Sequence, residues 1–163
     1  MAALRFDEQT VIVTGASHGL GKQYITYIAE QGANVVVHDD RNPVRLKLPR
    51  VVGYRCRYRL TRAGKQHFAN ELASKIRTAG GKAIATSTPL QNGHDIVNAA
   101  VAAFGRLDAL ILNAGDSLDL DWEASGREEW DSMLESAFGG CYKVQPYISS
   151  FHSTRSSLIM MGI

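Results

Sequence analysis

The chain has 163 residues, the length of one domain, and is 45% hydrophobic and 21% charged. That balance argues against disorder, and a formal net charge of +2 gives no chain-wide bias towards nucleic acid or an acidic membrane surface. Two distant cysteines, Cys56 and Cys141, are not a disulfide framework and fit a reducing compartment.

In chain order, Thr10 to Val13 is a short apolar run closed by Thr14-Gly15, the pattern of a buried strand ending in a turn. Beyond Gly21, apolar residues at Tyr24, Ile25 and Ile28 share one helix face, and Gly32 stops that helix. Ala33 to Val37 is a valine-rich run ending in His38-Asp39-Asp40. Continuous β-branched runs of this kind suit a parallel sheet covered on both faces. A helix is predicted over Phe68 to Thr78 and a weaker strand over Lys82 to Thr86. Ile96, Val97, Ala100, Val101 and Phe104 form a further helical stripe, and Leu107 to Leu112 reads as a fourth strand. Glu128 to Ser149 is a long amphipathic pattern, kinked by Pro146 near its end, and Leu158 to Met161 is a fifth apolar run.

Strands alternating with helices predict an α/β fold, a doubly wound parallel sheet with right-handed crossovers and strand order 3-2-1-4-5. A single Rossmann-like domain over 1–163 is expected, incomplete on its C-terminal side. One segment breaks the alternation. Between Arg41 and Asn70 there are nine Lys and Arg residues and no acid, with Tyr54 and Tyr58 interleaved. A basic insertion at about 41–67 on a solvated surface is the expectation, ahead of a nucleic-acid contact.

Thr14-Gly15-Ala16-Ser17-His18-Gly19-Leu20-Gly21 lies between the first strand and the first helix. Glycines there let the backbone approach a pyrophosphate, whose charge the free N–H groups of the helix N-terminus stabilise. The context agrees: a strand before, a helix after, and Asp39 at the end of the next strand. Asp39 can accept hydrogen bonds from both adenosine ribose hydroxyls and would repel a 2′-phosphate, so NAD is expected over NADP. His18 and Arg41 are the contrary cations.

These residues resemble the short-chain dehydrogenase/reductase family, whose glycine motif is TGxxxGxG. Leu112-Asn113-Ala114-Gly115 matches the family's NNAG motif after the fourth strand. Leu4 to Asp7, Val35 to Asp39, Ala79 to Lys82, Phe104 to Asp108 and Glu129 to Asp131 look like the dehydrogenase unit of multifunctional peroxisomal β-oxidation enzymes. The resemblance implies a nucleotide site of Thr14, Gly15, Ser17, His18, Gly19, Leu20, Gly21, Asp39, Asn113, Ala114 and Gly115. It implies NAD-linked oxidation of a hydroxyacyl or other secondary alcohol, or the reverse reduction of a ketone. It also implies a homo- or hetero-oligomer through the 128–149 helix. With no targeting signal or membrane span found, a cytoplasmic or peroxisomal location is expected.

The departures from the family are as informative. Thr88 stands where an adenine-binding aspartate is usual, and Ala137 stands where a catalytic asparagine is frequent. The family's catalytic serine falls at about Gly162-Ile163, and its Tyr-x-x-x-Lys pair would come later still. Tyr142-Lys143 are adjacent and do not share a helix face, and Tyr147 has no following lysine partner. No catalytic residue and no metal ligand is therefore assigned. A catalytically inactive NAD-binding or interaction protein is the alternative reading. A positioned proton donor supplies a factor of about 100 to 10,000 in such chemistry. A polypeptide of these 163 residues is thus expected to show no appreciable NADH turnover with 3-ketoacyl-CoA or a panel of ketones. Turnover near about 1 per second, within the usual enzyme range, would show the site has been misjudged.

Overall fold

The computed structural model describes residues 5–40, 66–115, 126–134 and 157–160. Five strands form one sheet: β1 (Thr10–Val13), β2 (Asn34–His38), β3 (Lys82–Thr86), β4 (Ala109–Leu112) and β5 (Ser157–Met160). Four helices alternate with them: α1 (Gly19–Glu30), α2 (Gln66–Thr78), α3 (Gly93–Phe104) and α4 (Arg127–Leu134). The sheet order is β3-β2-β1-β4-β5, every pairing is parallel, and the doubly wound expectation holds.

The apolar runs form strands because both faces of the sheet are covered. All four residues of β1 and all five of β2 are buried. Alternate side chains go to opposite faces. Val11, Val13, Val35, Val37 and Ile111 pack with Ile25 and Ile28 of α1 and Leu72 and Ile76 of α2. Ile12, Val36, Leu110 and Leu112 pack with Ile96, Val97 and Ala100 of α3. Ala109, expected in a buried strand, is only half-buried at the start of β4. β3 is an edge strand of the order, and its burial is correspondingly patchy.

Most boundaries lie within a residue or two of the sequence expectation. β2 runs one residue further, to His38, because His38 continues the pairing with Thr86. α3 begins at Gly93, a turn before its first apolar residue. β4 begins two residues later than its apolar run, since Leu107 is buried in the loop before it. α4 starts at Arg127 and is described as far as Leu134, so the 135–149 part of the expected helix lies outside the described residues. The basic segment 41–65, Ala137, Tyr142, Lys143, Tyr147, Gly162 and Ile163 lie outside them too.

The N-terminal ends of the strands are tied by charged groups. The Asp108 carboxylate accepts from the Thr10 amide at 2.8 Å and from Arg106 Nε at 2.8 Å, holding the start of β1 beside the start of β4. Arg5 pairs with Asp7 at 2.5 Å, and that hydrogen-bonded guanidinium holds the Asp7 carboxyl below its usual range. The Phe6 amide meanwhile donates to the Gln31 carbonyl at 2.9 Å at the end of α1.

Ile12 is fully buried at the middle of the sheet, whereas Leu20 is 52% exposed. Ile12→Ala is expected to lower unfolding stability by about 2–5 kcal/mol, a transfer term plus a cavity term. Leu20→Ala should stay within about 0.5 kcal/mol. Urea unfolding with an unchanged slope would measure both, and equal losses would contradict the assigned core.

Candidate functional site

The strand order reverses between β1 and β4, so the crevice at the carboxyl ends of these strands is the place where doubly wound sheets take ligands. The turn Thr14 to His18 leaves β1 there. Thr14 is fully buried, and its hydroxyl accepts from the Asn113 and Ala114 amides, each at 3.0 Å. Asn113 Nδ2 donates to the Thr14 carbonyl at 2.9 Å and to the Gly15 carbonyl at 3.3 Å. The end of β4 thus grips the turn through two residues.

That grip explains two of the glycines. Gly15 has φ +63°, a backbone state that a side chain disfavours, and an added Cβ would sit 3.0 Å from Ala114 Cα. At Gly21 an added Cβ would fall 2.5 Å from Asn113 Nδ2 and 2.6 Å from the Gly15 carbonyl oxygen. Gly21 is therefore a packing glycine beneath the turn. Gly19 shares the positive φ of Gly15, at +54°, but nothing among the described residues lies within 4 Å of its built Cβ.

The N-terminus of α1 fits an anion. His18 occupies the cap position in extended backbone and makes no side-chain cap hydrogen bond. The first turn contains no acidic residue. First-turn amides have no partner within their own helix, and the helix dipole adds partial positive charge at this end. Open space above Gly19 and uncapped amides together suit a phosphate or pyrophosphate.

Asp39 follows β2 on the other side of the turn and is 5% exposed. Its amide donates to the Thr86 carbonyl at 3.1 Å. The Ser17 hydroxyl donates to Asp39 Oδ2, and His18 Nδ1 is 3.9 Å from the same oxygen. The Ala16 amide donates to the His38 carbonyl at 2.8 Å. The glycine turn and the carboxylate are therefore one assembly.

Of the sequence-predicted set, the fold brings Thr14, Gly15, Ser17, His18, Gly19, Gly21, Asp39, Asn113 and Ala114 into this crevice. Leu20 projects from the first turn, mostly exposed, and Gly115 is exposed just after the Asn113 clamp. Thr14 and Asn113 spend polar groups on each other's backbone, a role the motif alone did not reveal. Thr88 turns its hydroxyl to Thr86 Oγ1 at 2.9 Å, and its carbonyl meets His38 Nε2 at 2.8 Å. His38 and Asp40, whose carboxylate accepts from the Leu90 amide at 2.7 Å, are also part of this corner. Neither was singled out from the sequence, although both flank Asp39 directly.

Comparisons with known proteins find dehydrogenases among the relatives and the solved structures. A peroxisomal hydratase-dehydrogenase-epimerase of Neurospora crassa is 36% identical over 140 residues, covering 86% of this chain and 14% of the relative. A short chain dehydrogenase from Mycobacterium avium superposes with a TM-score of 0.69 at 28% identity, covering 89% of this chain and 46% of that one. The chain is thus similar to short-chain dehydrogenases/reductases over most of its own length. A 7α-hydroxysteroid dehydrogenase, solved with NADH and 7-oxo glycochenodeoxycholic acid, shares the fold at a TM-score of 0.75 and 19% identity. It covers 96% of this chain and 54% of that one. The chain thus spans about half or less of the length of each of these proteins. No family model matches it.

Gly21→Ala is expected to cost about 1–3 kcal/mol of stability, as overpacking against a hydrogen-bonded amide and a backbone carbonyl does. Thermal unfolding of the Gly21→Ala and wild-type chains measures it. An unchanged midpoint would show that the clamp at Asn113 yields easily.

Proposed function

We propose that this chain supplies the dinucleotide-binding region of an NAD-dependent oxidoreductase acting on a hydroxyacyl or other secondary alcohol or its ketone. The observation that carries the reading is the pairing of an uncapped, open helix N-terminus at Gly19 with a buried carboxylate at Asp39 across one turn. The first suits a pyrophosphate and the second suits a ribose diol. Thr14, Gly15, Gly21, Asn113 and Ala114 hold the turn; Ser17, His18, Gly19, Leu20, Asp39 and Gly115 face the nucleotide. Bound there, the nicotinamide would supply the chemistry, accepting or releasing a hydride.

NAD rather than NADP follows from Asp39. A 2′-phosphate would meet a buried carboxylate already paired with Ser17, and like charges at short range repel strongly where water is excluded. The hydroxyacyl class is supported by the names of the relatives, and a peroxisomal rather than cytoplasmic setting rests on the same names. Among the described residues no helix is long and apolar enough to cross a membrane. An oligomer through the 128–149 segment is supported by Trp130 and Leu134 of α4, one turn apart and 46% and 37% exposed.

Calorimetry with the two cofactors tests the proposal. NAD should bind more tightly than NADP, and Asp39→Ala should weaken NAD about tenfold or more, the scale of a lost hydrogen bond to a charged group. The same variant should narrow the gap between the cofactors. Equal affinities in the wild-type chain would remove the ribose role from Asp39.

A further inference from the structure

The end of β2 carries a buried histidine that the ribose reading does not use. His38 is fully buried, and its Nε2 lies 2.8 Å from the Thr88 carbonyl oxygen. A carbonyl only accepts, so Nε2 carries the proton. Nδ1 is buried and has no hydrogen-bond partner among the described residues. A side chain kept there despite that cost, which an apolar residue would avoid, points to its one hydrogen bond.

That hydrogen bond reaches a particular place. The segment Thr86 to Leu90 leaves β3 beside Asp39. One end is held where the Asp39 amide donates to Thr86, at 3.1 Å, and the other where the Leu90 amide donates to Asp40, at 2.7 Å. His38 holds the middle, at Thr88. The carbonyl of the same residue accepts from Ala16 in the glycine turn at 2.8 Å. One residue therefore joins the turn on one side of Asp39 to the loop on the other.

We infer that His38 is the positioning residue of the adenosine side of the nucleotide site, its imidazole setting where the Thr86–Leu90 loop stands relative to the glycine turn. The inference rests on the dinucleotide reading above and deepens it. Without the imidazole, the Thr88 carbonyl loses its donor, and Thr88 keeps only its local bonds to Thr86 within the same loop. The adenosine half of the cofactor then meets a wall free to bow, and pays the cost of ordering it on binding. Glutamine can substitute, because its Nε2 amide lies the same number of bonds from Cα and donates in the same way. Leucine fills the space without donating.

The test compares wild type, His38→Gln and His38→Leu in the full chain, each first shown to be folded by its unfolding transition. NAD and ADP-ribose binding are measured by calorimetry, and exchange of the Asp39 and Leu90 amides by NMR. His38→Leu should weaken both ligands about five- to tenfold, the scale of one neutral hydrogen bond, and speed exchange at both amides. His38→Gln should stay within about twofold of wild type in each measurement. The imidazole ¹⁵N resonances of the wild type should show the Nε2–H tautomer. A folded leucine variant with wild-type ADP-ribose affinity, no rescue by glutamine, or an Nδ1–H tautomer would each overturn the role of His38. A wild-type chain that binds neither ligand would instead overturn the dinucleotide reading itself.

Discussion

The architecture of the site depends on the clamp between Asn113 and the Thr14–Gly15 turn. Asn113 makes three hydrogen bonds to the turn, one from its backbone amide to the Thr14 hydroxyl and two from its side-chain amide to the Thr14 and Gly15 carbonyls, and the Ala114 amide adds a fourth to the Thr14 hydroxyl. They draw the ends of β1 and β4 together at the point where the sheet changes direction. With the turn fixed there, α1 has one direction in which to start. Its open first turn at Gly19 then stands at the carboxyl ends of the central strands. The glycine positions are a consequence of this approach. Gly15 supplies the backbone state and Gly21 supplies the room.

The second half of the site grows from β2. Pairing of β2 with β1 on one side and β3 on the other buries His38 and Asp39 completely or nearly so. A carboxylate in such a place needs donors, and Ser17 provides one from the turn. The phosphate-type seat and the carboxylate are thus coupled by a hydrogen bond that crosses between two elements. Opposite these, at the other ends of the strands, Asp108 and Arg106 secure the start of β1 and leave the carboxyl ends free for ligand.

Much of the fold was legible in the residues because burial on both faces turns β1 and β2 into continuous apolar runs. β3 was harder, since an edge strand with patchy burial has little pattern. The start of α3 was missed by a turn because Gly93, His94 and Asp95 carry no apolar period. The outline of the site was legible through glycine spacing and the position of Asp39. Its internal bonding was not. Asn113 bonds to carbonyl oxygens of Thr14 and Gly15, and every residue has such an oxygen, so no side-chain pattern announces the contact. His38 was hidden for a related reason: a histidine after a strand is usually at the surface, and only the position of the Thr88 carbonyl gives it an interior partner.

The closeness of Gly21 and Asn113 has a consequence for how this chain can change over generations. Neither residue is free to vary by itself. A larger side chain at 21 collides with the amide at 113, and a smaller one at 113 leaves the Thr14 and Gly15 carbonyls without their donor. The pair is therefore epistatic. A lineage that enlarges position 21 must shorten position 113 and also shift the Gly15 carbonyl, passing through an intermediate with a loosened turn. Drift across that valley is slow, and the two sites should change together or not at all.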